Sequence, residues 1–136
     1  MMNEKLSQIM TTDLITVNPD DNLSQVRDIF KNHRIHHLPV VEGKKLVGLI
    51  TTSDLWKLNR VHEEYAEISV KDVMTVRLAY LQPEDKIGSA AELFLENLFH
   101  AVPVVDEDKN LKGIVTSFDV IKYGYNKEYP DHPWTS

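Results

Sequence analysis

Two stretches of this 136-residue sequence place an aspartate three residues after a threonine at the end of an apolar run: Gly-Leu-Ile-Thr-Thr-Ser-Asp over 48–54 and Gly-Ile-Val-Thr-Ser-Phe-Asp over 113–119. Thr-x-x-Asp ahead of a helical segment is a capping box, in which hydroxyl and carboxylate satisfy N–H groups that have no partner in the helix. The same pair can hold a ligand, and the residues alone leave cap and ligand hook both open. Catalysis fits poorly. Asp54 and Asp119 have no nucleophile, paired acid or metal set arranged with them, no Gly-x4-Gly-Lys-Ser/Thr loop occurs, and no cysteine is present. The expectation is no catalytic residue and no metal: His33, His36 and His37 stand close together, but no acidic or thiol ligand is interleaved with them, and a histidine bonded to backbone is the commoner outcome.

The elements that position these residues are written twice. Met10-Thr11, Leu14, Pro19, Asp21, Phe30, His36 and Pro39-Val40-Val41 are matched by Met74-Thr75, Leu78, Pro83, Asp85, Phe94, His100 and Pro103-Val104-Val105. After one extra residue in the second turn, Leu46, Gly48, Thr51, Asp54 and Lys57 meet Leu111, Gly113, Thr116, Asp119 and Lys122. The spacing of Leu23, Val26, Ile29 and Phe30 predicts a helix behind Asp21 as cap. Ile87, Ala90, Ala91 and Phe94 predict a second behind Asp85, within Lys-Ile-Gly-Ser-Ala-Ala-Glu-Leu-Phe-Leu-Glu-Asn-Leu-Phe. Leu-Ile-Thr-Val, His-Leu-Pro-Val-Val and Lys-Leu-Val-Gly-Leu-Ile predict strands, as do their counterparts Leu-Ala-Tyr-Leu, Ala-Val-Pro-Val-Val and Leu-Lys-Gly-Ile-Val. A further helix comes after each Thr-x-x-Asp, over Asp-Leu-Trp-Lys-Leu-Asn-Arg-Val and Asp-Val-Ile-Lys-Tyr-Gly-Tyr.

The expected architecture is α/β, two tandem β-α-β-β-α repeats: residues 1–66 as the first with its lead and a polar linker over 60–67, residues 67–125 as the second, and 126–136 as a tail. Pro130 and Pro133 stop that tail from continuing a helix, so it is a surface strap or mobile. A copy of some 60 residues is marginal alone, so the two are expected to share a core about a pseudo-two-fold axis. The formal charge of −6 opposes the phosphate attraction that nucleic-acid binders need. No run of about 18 apolar residues is present for a membrane span, the first residues are too polar for a secretory leader, and the lack of cysteine suits a reducing compartment, so a cytoplasmic location is expected.

The whole order closely resembles the CBS domain pair, or Bateman module, over roughly residues 6 to 125: Met-Thr, an apolar strand, Pro, a helix, His-x-Leu-Pro-Val-Val, then Gly-h-h-Thr-x-x-Asp, twice. The resemblance implies two repeats packed sheet against sheet, with two clefts that take AMP, ADP, ATP or S-adenosylmethionine as a regulatory ligand rather than a required cofactor. It implies a stand-alone regulatory module, a homodimer and an unidentified protein partner; the alternative is a ligand-independent dimerisation or docking module. Thr51 with Asp54, and Thr116 with Asp119, become the ribose and phosphate positions. A carboxylate suits a ribose because its two oxygens can accept from both vicinal hydroxyls, and a helix start favours an anion just ahead of the threonine.

The Arg-Ile-His-His-Leu-Pro-Val stretch is similar to that of the energy-sensing γ subunits of AMP-activated protein kinase, which makes His36 and His100 phosphate-contact candidates. The sequence departs at the next position, with His37 and Ala101 in place of arginine, which weakens the case for tight multi-phosphate binding. Adenine would lie against Thr16, Val17, Leu38 and Pro39 in the first copy, and Tyr80, Leu81, Val102 and Pro103 in the second; ordinary core is the competing role for the apolar ones. Tyr80 stands where the first copy has Thr16, so its ring either stacks on a purine or fills the pocket, and unequal occupancy is expected.

Overall fold

The computed structural model describes residues 2–97 and 100–135. The chain forms two compact units, Ile15–Leu78 and the two segments Met1–Leu14 with Ala79–Ser136, called the Asp54 unit and the Asp119 unit after their aspartates. The boundaries at 66 and 125 follow the period of the sequence, whereas the units divide the chain elsewhere. The reason is backbone pairing: each Met-Thr step joins the β hairpin of the other period.

In the Asp54 unit, helix α1 (Leu23–Asn32) precedes an antiparallel hairpin of β1 (His37–Glu42) and β2 (Lys45–Thr51), followed by α2 (Thr52–Lys57). The hairpin runs from His37 opposite Thr51 to Glu42 opposite Lys45, with a bulge at Val40/Val41, and Gly43 takes φ 62 in its turn. That positive φ is open to glycine without a Cβ penalty. Val17 lies parallel to β1, its N–H donating to the Pro39 carbonyl at 3.1 Å, and Thr75 pairs with Leu49 on the far side through two bonds of 2.9 and 3.0 Å. Leu23 and Val26 of α1 are buried with Val17, Leu38, Val40, Ile50, Tyr65 and Val70. Their i, i+3 spacing puts both on one face of the helix.

The Asp119 unit repeats this plan with α3 (Ile87–Asn97), β3 (Ala101–Val105), β4 (Leu111–Thr116) and α4 (Ser117–Glu128). Leu81 lies parallel to β3 at Val104, and Thr11 pairs with Ile114 of β4 through bonds of 2.9 and 3.0 Å. Leu6 of the lead is fully buried with Ile87, Ala90, Phe94, Val102, Val104, Val115 and Val120. Two repeated sequence features share one cause. A Cβ added at Gly48 would stand 2.5 Å from the Met74 sulfur, and one at Gly113 would stand 2.8 Å from the Met10 sulfur and 2.9 Å from the Thr11 carbonyl oxygen. Each Met-Thr step therefore crosses its hairpin at the residue with no side chain.

Several local expectations are corrected. Leu-Ile-Thr-Val and Leu-Ala-Tyr-Leu are not full strands; each pairs at one residue, Val17 and Leu81. The α1 cap is Asn22, not Asp21: its side chain accepts from the Gln25 N–H at 3.0 Å while Gln25 reaches back to the Asn22 N–H at 2.9 Å. Asp21 sits one residue early and instead accepts from the Asn18 N–H at 2.8 Å, as Asp85 does from Gln82 at 2.7 Å. Helix α2 ends at Lys57, short of the expected Val61, and Asn59 adopts φ 53 just beyond it. The polar linker contains a 3-10 helix, His62–Glu67, which buries Tyr65. Helix α4 runs on to Glu128, past the expected start of the tail. The final Leu98-Phe99 of the second predicted helix lie outside the described residues.

Candidate functional site

Both Thr-x-x-Asp corners form reciprocal capping boxes with matching dimensions. Thr51 Oγ1 accepts from the Asp54 N–H at 3.1 Å and Asp54 Oδ2 accepts from the Thr51 N–H at 2.8 Å; Thr116 and Asp119 repeat both distances. The corner is also tied to the preceding strand, because the Thr52 N–H donates to the His36 carbonyl at 3.1 Å and the Ser117 N–H to the His100 carbonyl at 3.0 Å. The cap engages only Oδ2 of each carboxylate. Among the described residues Oδ1 of Asp54 and of Asp119 accepts no hydrogen bond, so cap and ligand hook do not compete for the same oxygen.

Asp119 lines a cavity of about 550 Å³ within its own unit. Lys122, Tyr123 and Asn126 line it too, and with Asp119 they occupy positions i, i+3, i+4 and i+7 of α4, one helical face. Gln8 and Ile9 of the lead form the facing wall, and Pro130 of the tail contributes an edge. The tail is fastened by Asn126, whose side chain accepts from the Trp134 N–H at 2.6 Å and donates to its carbonyl at 3.1 Å. Lys127, also on the cavity, pairs with Glu4 at 2.8 Å, and the Tyr123 hydroxyl donates to the same carboxylate. Lys127 first, and Tyr123 next, hold Glu4 below the usual glutamate range; Glu4 in turn raises both partners.

The other expected site residues divide into three groups. Val17, Leu38 and Val102 are core residues, and Pro39, Ala101 and Pro103 are buried beside them. Thr16, His36 and His100 are exposed, while His37 and Leu81 are half-buried. Tyr80 is 44% exposed, with the Lys109 ammonium 5.2 Å from its ring centre, so one ring face already has a cationic neighbour. His100 lines an apolar cavity of about 410 Å³ with Ser117, Phe94, Val120 and Ile121, and Asp119 is not part of its lining. Sequence reasoning passed over Lys122, Tyr123 and Asn126, although stepping along the helix from Asp119 would have found them. No three His, Asp or Glu side chains gather as a metal site among the described residues, and no helix there is long and apolar enough to cross a membrane.

Hairpin, capped corner and helix, built twice, define a duplicated α/β module. Residues 6–55 and 70–126 both match the family model of the CBS domain, and the chain belongs to that family. Protein MJ1225 of Methanocaldococcus jannaschii is 31% identical over 132 residues, 89% of this chain and 47% of that protein, and its crystal structure superposes with a TM-score of 0.82. The chain thus spans about half the length of that relative. CBSX2 of Arabidopsis thaliana, solved in complex with AMP, is 26% identical with a TM-score of 0.82, covering 92% of this chain and 98% of that one. The CBS domain pair of MJ0100, solved with 5'-methylthioadenosine and S-adenosyl-L-methionine, is 27% identical with a TM-score of 0.79, covering 90% and 97%.

Proposed function

We propose that this chain is a regulatory module, not an enzyme, that binds an adenosyl ligand at its Thr-x-x-Asp corners and passes the bound state to a dimer or protein partner. The observation that carries this reading is the half-used carboxylate of Asp119 on a cavity large enough for a small ligand. Oδ1 and the second lone pair of Oδ2 can accept from the two hydroxyls of a ribose while the cap stays intact. The AMP complex of CBSX2 and the S-adenosylmethionine complex of MJ0100 support the ligand class. Ligand binding regulates only if the ligand prefers one of two arrangements, so the readout is a change in assembly as well as affinity. Calorimetric titration with AMP, ADP, ATP and S-adenosylmethionine tests it. At least one should bind, and Asp119→Asn, which keeps an oxygen for the cap, should weaken it about ten-fold or more. Unchanged affinity in both Asp119→Asn and Asp54→Asn removes the ribose assignment.

A second reading, ligand-independent docking, is favoured by exposed apolar side chains: Trp56 at 86%, and Leu95 and Ile121 beside the 410 Å³ cavity at 81% and 70%. Light scattering of Ile121→Glu separates the two, since docking alone predicts a lost assembly with no nucleotide response in either protein.

A further inference from the structure

We propose that the Asp119 cavity selects a phosphorylated adenosyl ligand, a nucleotide, over uncharged or cationic adenosyl compounds, with Lys122 as the specificity-determining residue. The inference rests on the adenosyl reading above and goes further by naming the charge of the ligand. Its basis is the allocation of charges along α4. Two lysines line the cavity, and they are not equivalent. Lys127 is committed to Glu4 at 2.8 Å, so the charge of one offsets that of the other. Lys122 makes no hydrogen bond or ion pair among the described residues.

Asp119 stands three residues before Lys122 on the same helical face, close enough for an i, i+3 pair, yet no ion pair forms between them. The cavity thus holds an acceptor and a cation that do not satisfy each other. A molecule carrying a vicinal diol at one end and an anion at the other satisfies both. A nucleoside phosphate has that pattern. A neutral thioether nucleoside offers the diol and nothing for Lys122, and S-adenosylmethionine brings its carboxylate together with a sulfonium and an ammonium, a net positive charge that Lys122 disfavours relative to a phosphate. In a chain of net charge −6 the charges at the cavity, Lys122 and Lys127 against Asp119 and the Glu4 paired with Lys127, cancel, so the site opposes an anion less than the chain as a whole does.

The test compares AMP, 5'-methylthioadenosine and S-adenosylmethionine by calorimetry on the full chain in an Asp54→Asn background, which isolates the Asp119 site. AMP should bind tightest. Lys122→Gln should weaken AMP about ten-fold and leave methylthioadenosine within about two-fold, and Lys122→Arg should restore most of the AMP affinity. Added salt should weaken AMP and leave the uncharged methylthioadenosine almost unchanged. Because Lys122 has no partner to lose, melting temperature without ligand should not move, and an unfolded variant would overturn that premise. If methylthioadenosine or S-adenosylmethionine binds at least as tightly as AMP, or Lys122→Gln weakens all three alike, the charge selection is wrong and the adenosyl reading survives. If none of the three binds, both fall.

Discussion

The two units share a corner and differ in the helix that leaves it. At Thr51 and at Thr116 the capping distances agree, yet α2 stops after six residues while α4 continues for twelve. Only the longer helix has room for a face of Asp119, Lys122, Tyr123 and Asn126, and only it is braced by the lead through Glu4 and by the tail through Asn126. In the Asp54 unit the matching lysine, Lys57, is the last residue of its helix and is exposed. A duplicated capping motif therefore fixes where a helix begins, while residues beyond its first turn supply much of the wall of the Asp119 cavity. The leads differ in charge rather than in burial: Leu6 and its counterpart Val70 are both buried, but Glu4 pairs with Lys127 of α4, whereas its counterpart is the uncharged Ile68.

The sharpest break in the comparison comes from the two hairpin glycines. Gly113→Ala should destabilise the protein by about 1–3 kcal/mol, since its Cβ meets the Thr11 carbonyl oxygen at 2.9 Å and backbone cannot swing aside. Gly48→Ala should cost less, because its closest contact is the flexible end of Met74 and the Thr75 carbonyl lies at 3.2 Å. Chemical denaturation of both variants checks the order, and equal losses would show that the methionines rather than the backbone set the cost. Next come the caps. Thr51→Ala and Thr116→Ala should each cost about 1 kcal/mol, but hydrogen exchange should rise across all of Thr52–Lys57 in the first and only over the first turn of α4 in the second. A six-residue helix has no further turns to hold it once its start is loosened.

Much of this was legible in the sequence, and the exceptions have physical causes. The duplication, both hairpins and both capped corners come from local pattern, because a hydrophobic alternation or a capping box is satisfied within a few residues. The pattern concealed the non-local pairings. Nothing in Met10-Thr11 says which hairpin it will cross, and the pairing of Thr11 with Ile114 assigns the lead to the Asp119 unit. Tyr65 sits in a stretch polar enough to pass as linker, and burial reveals it as core. Asp21 and Asn22 are both good caps, and only geometry decides that Asn22 reaches the N–H of Gln25. At the corners, the repeated motif points to the carboxylates and not to the helix face that lines the Asp119 cavity, because Lys122 and Asn126 belong to no repeated motif longer than a single lysine. Several proposed adenine contacts, Val17, Leu38 and Val102 among them, are held within the cores.

The Glu4 cluster gives a smaller difference, confined to one unit and read through pH. Glu4 is lowered in the folded state by Lys127 and then Tyr123, so its contribution is present above the ordinary glutamate value of 4.5 and is lost as pH falls through the lowered one. Lys127 and Tyr123 are raised from 10.5 and 10.0, chiefly by Glu4, so their contribution is full below about pH 10 and is lost as pH rises through the raised values. Glu4→Gln should flatten the stability profile at both ends and leave the middle range almost level. Lys127 is exposed and Glu4 and Tyr123 are half-buried, so the effect should shrink with added salt. A profile that Glu4→Gln leaves unchanged would mean that the lead is held by Leu6 and backbone pairing alone.

The smallest expected effect concerns the tail. Asn126 grips both the N–H and the carbonyl of Trp134 from the cavity face of α4, yet the bonds are exposed, and water replaces most of what they contribute. Asn126→Ala should therefore lower stability by less than about 1 kcal/mol. It should still shift the fluorescence of Trp134, read in a Trp56→Phe background, to longer wavelength as the ring gains water. Because Pro130 forms one edge of the Asp119 cavity, the proposed function predicts that a freed tail also speeds release of a nucleotide from that corner and leaves the Asp54 corner unaffected. Equal acceleration at both sites would mean that Asn126 acts on the protein at large, and the difference between the two units would then rest on helix length alone.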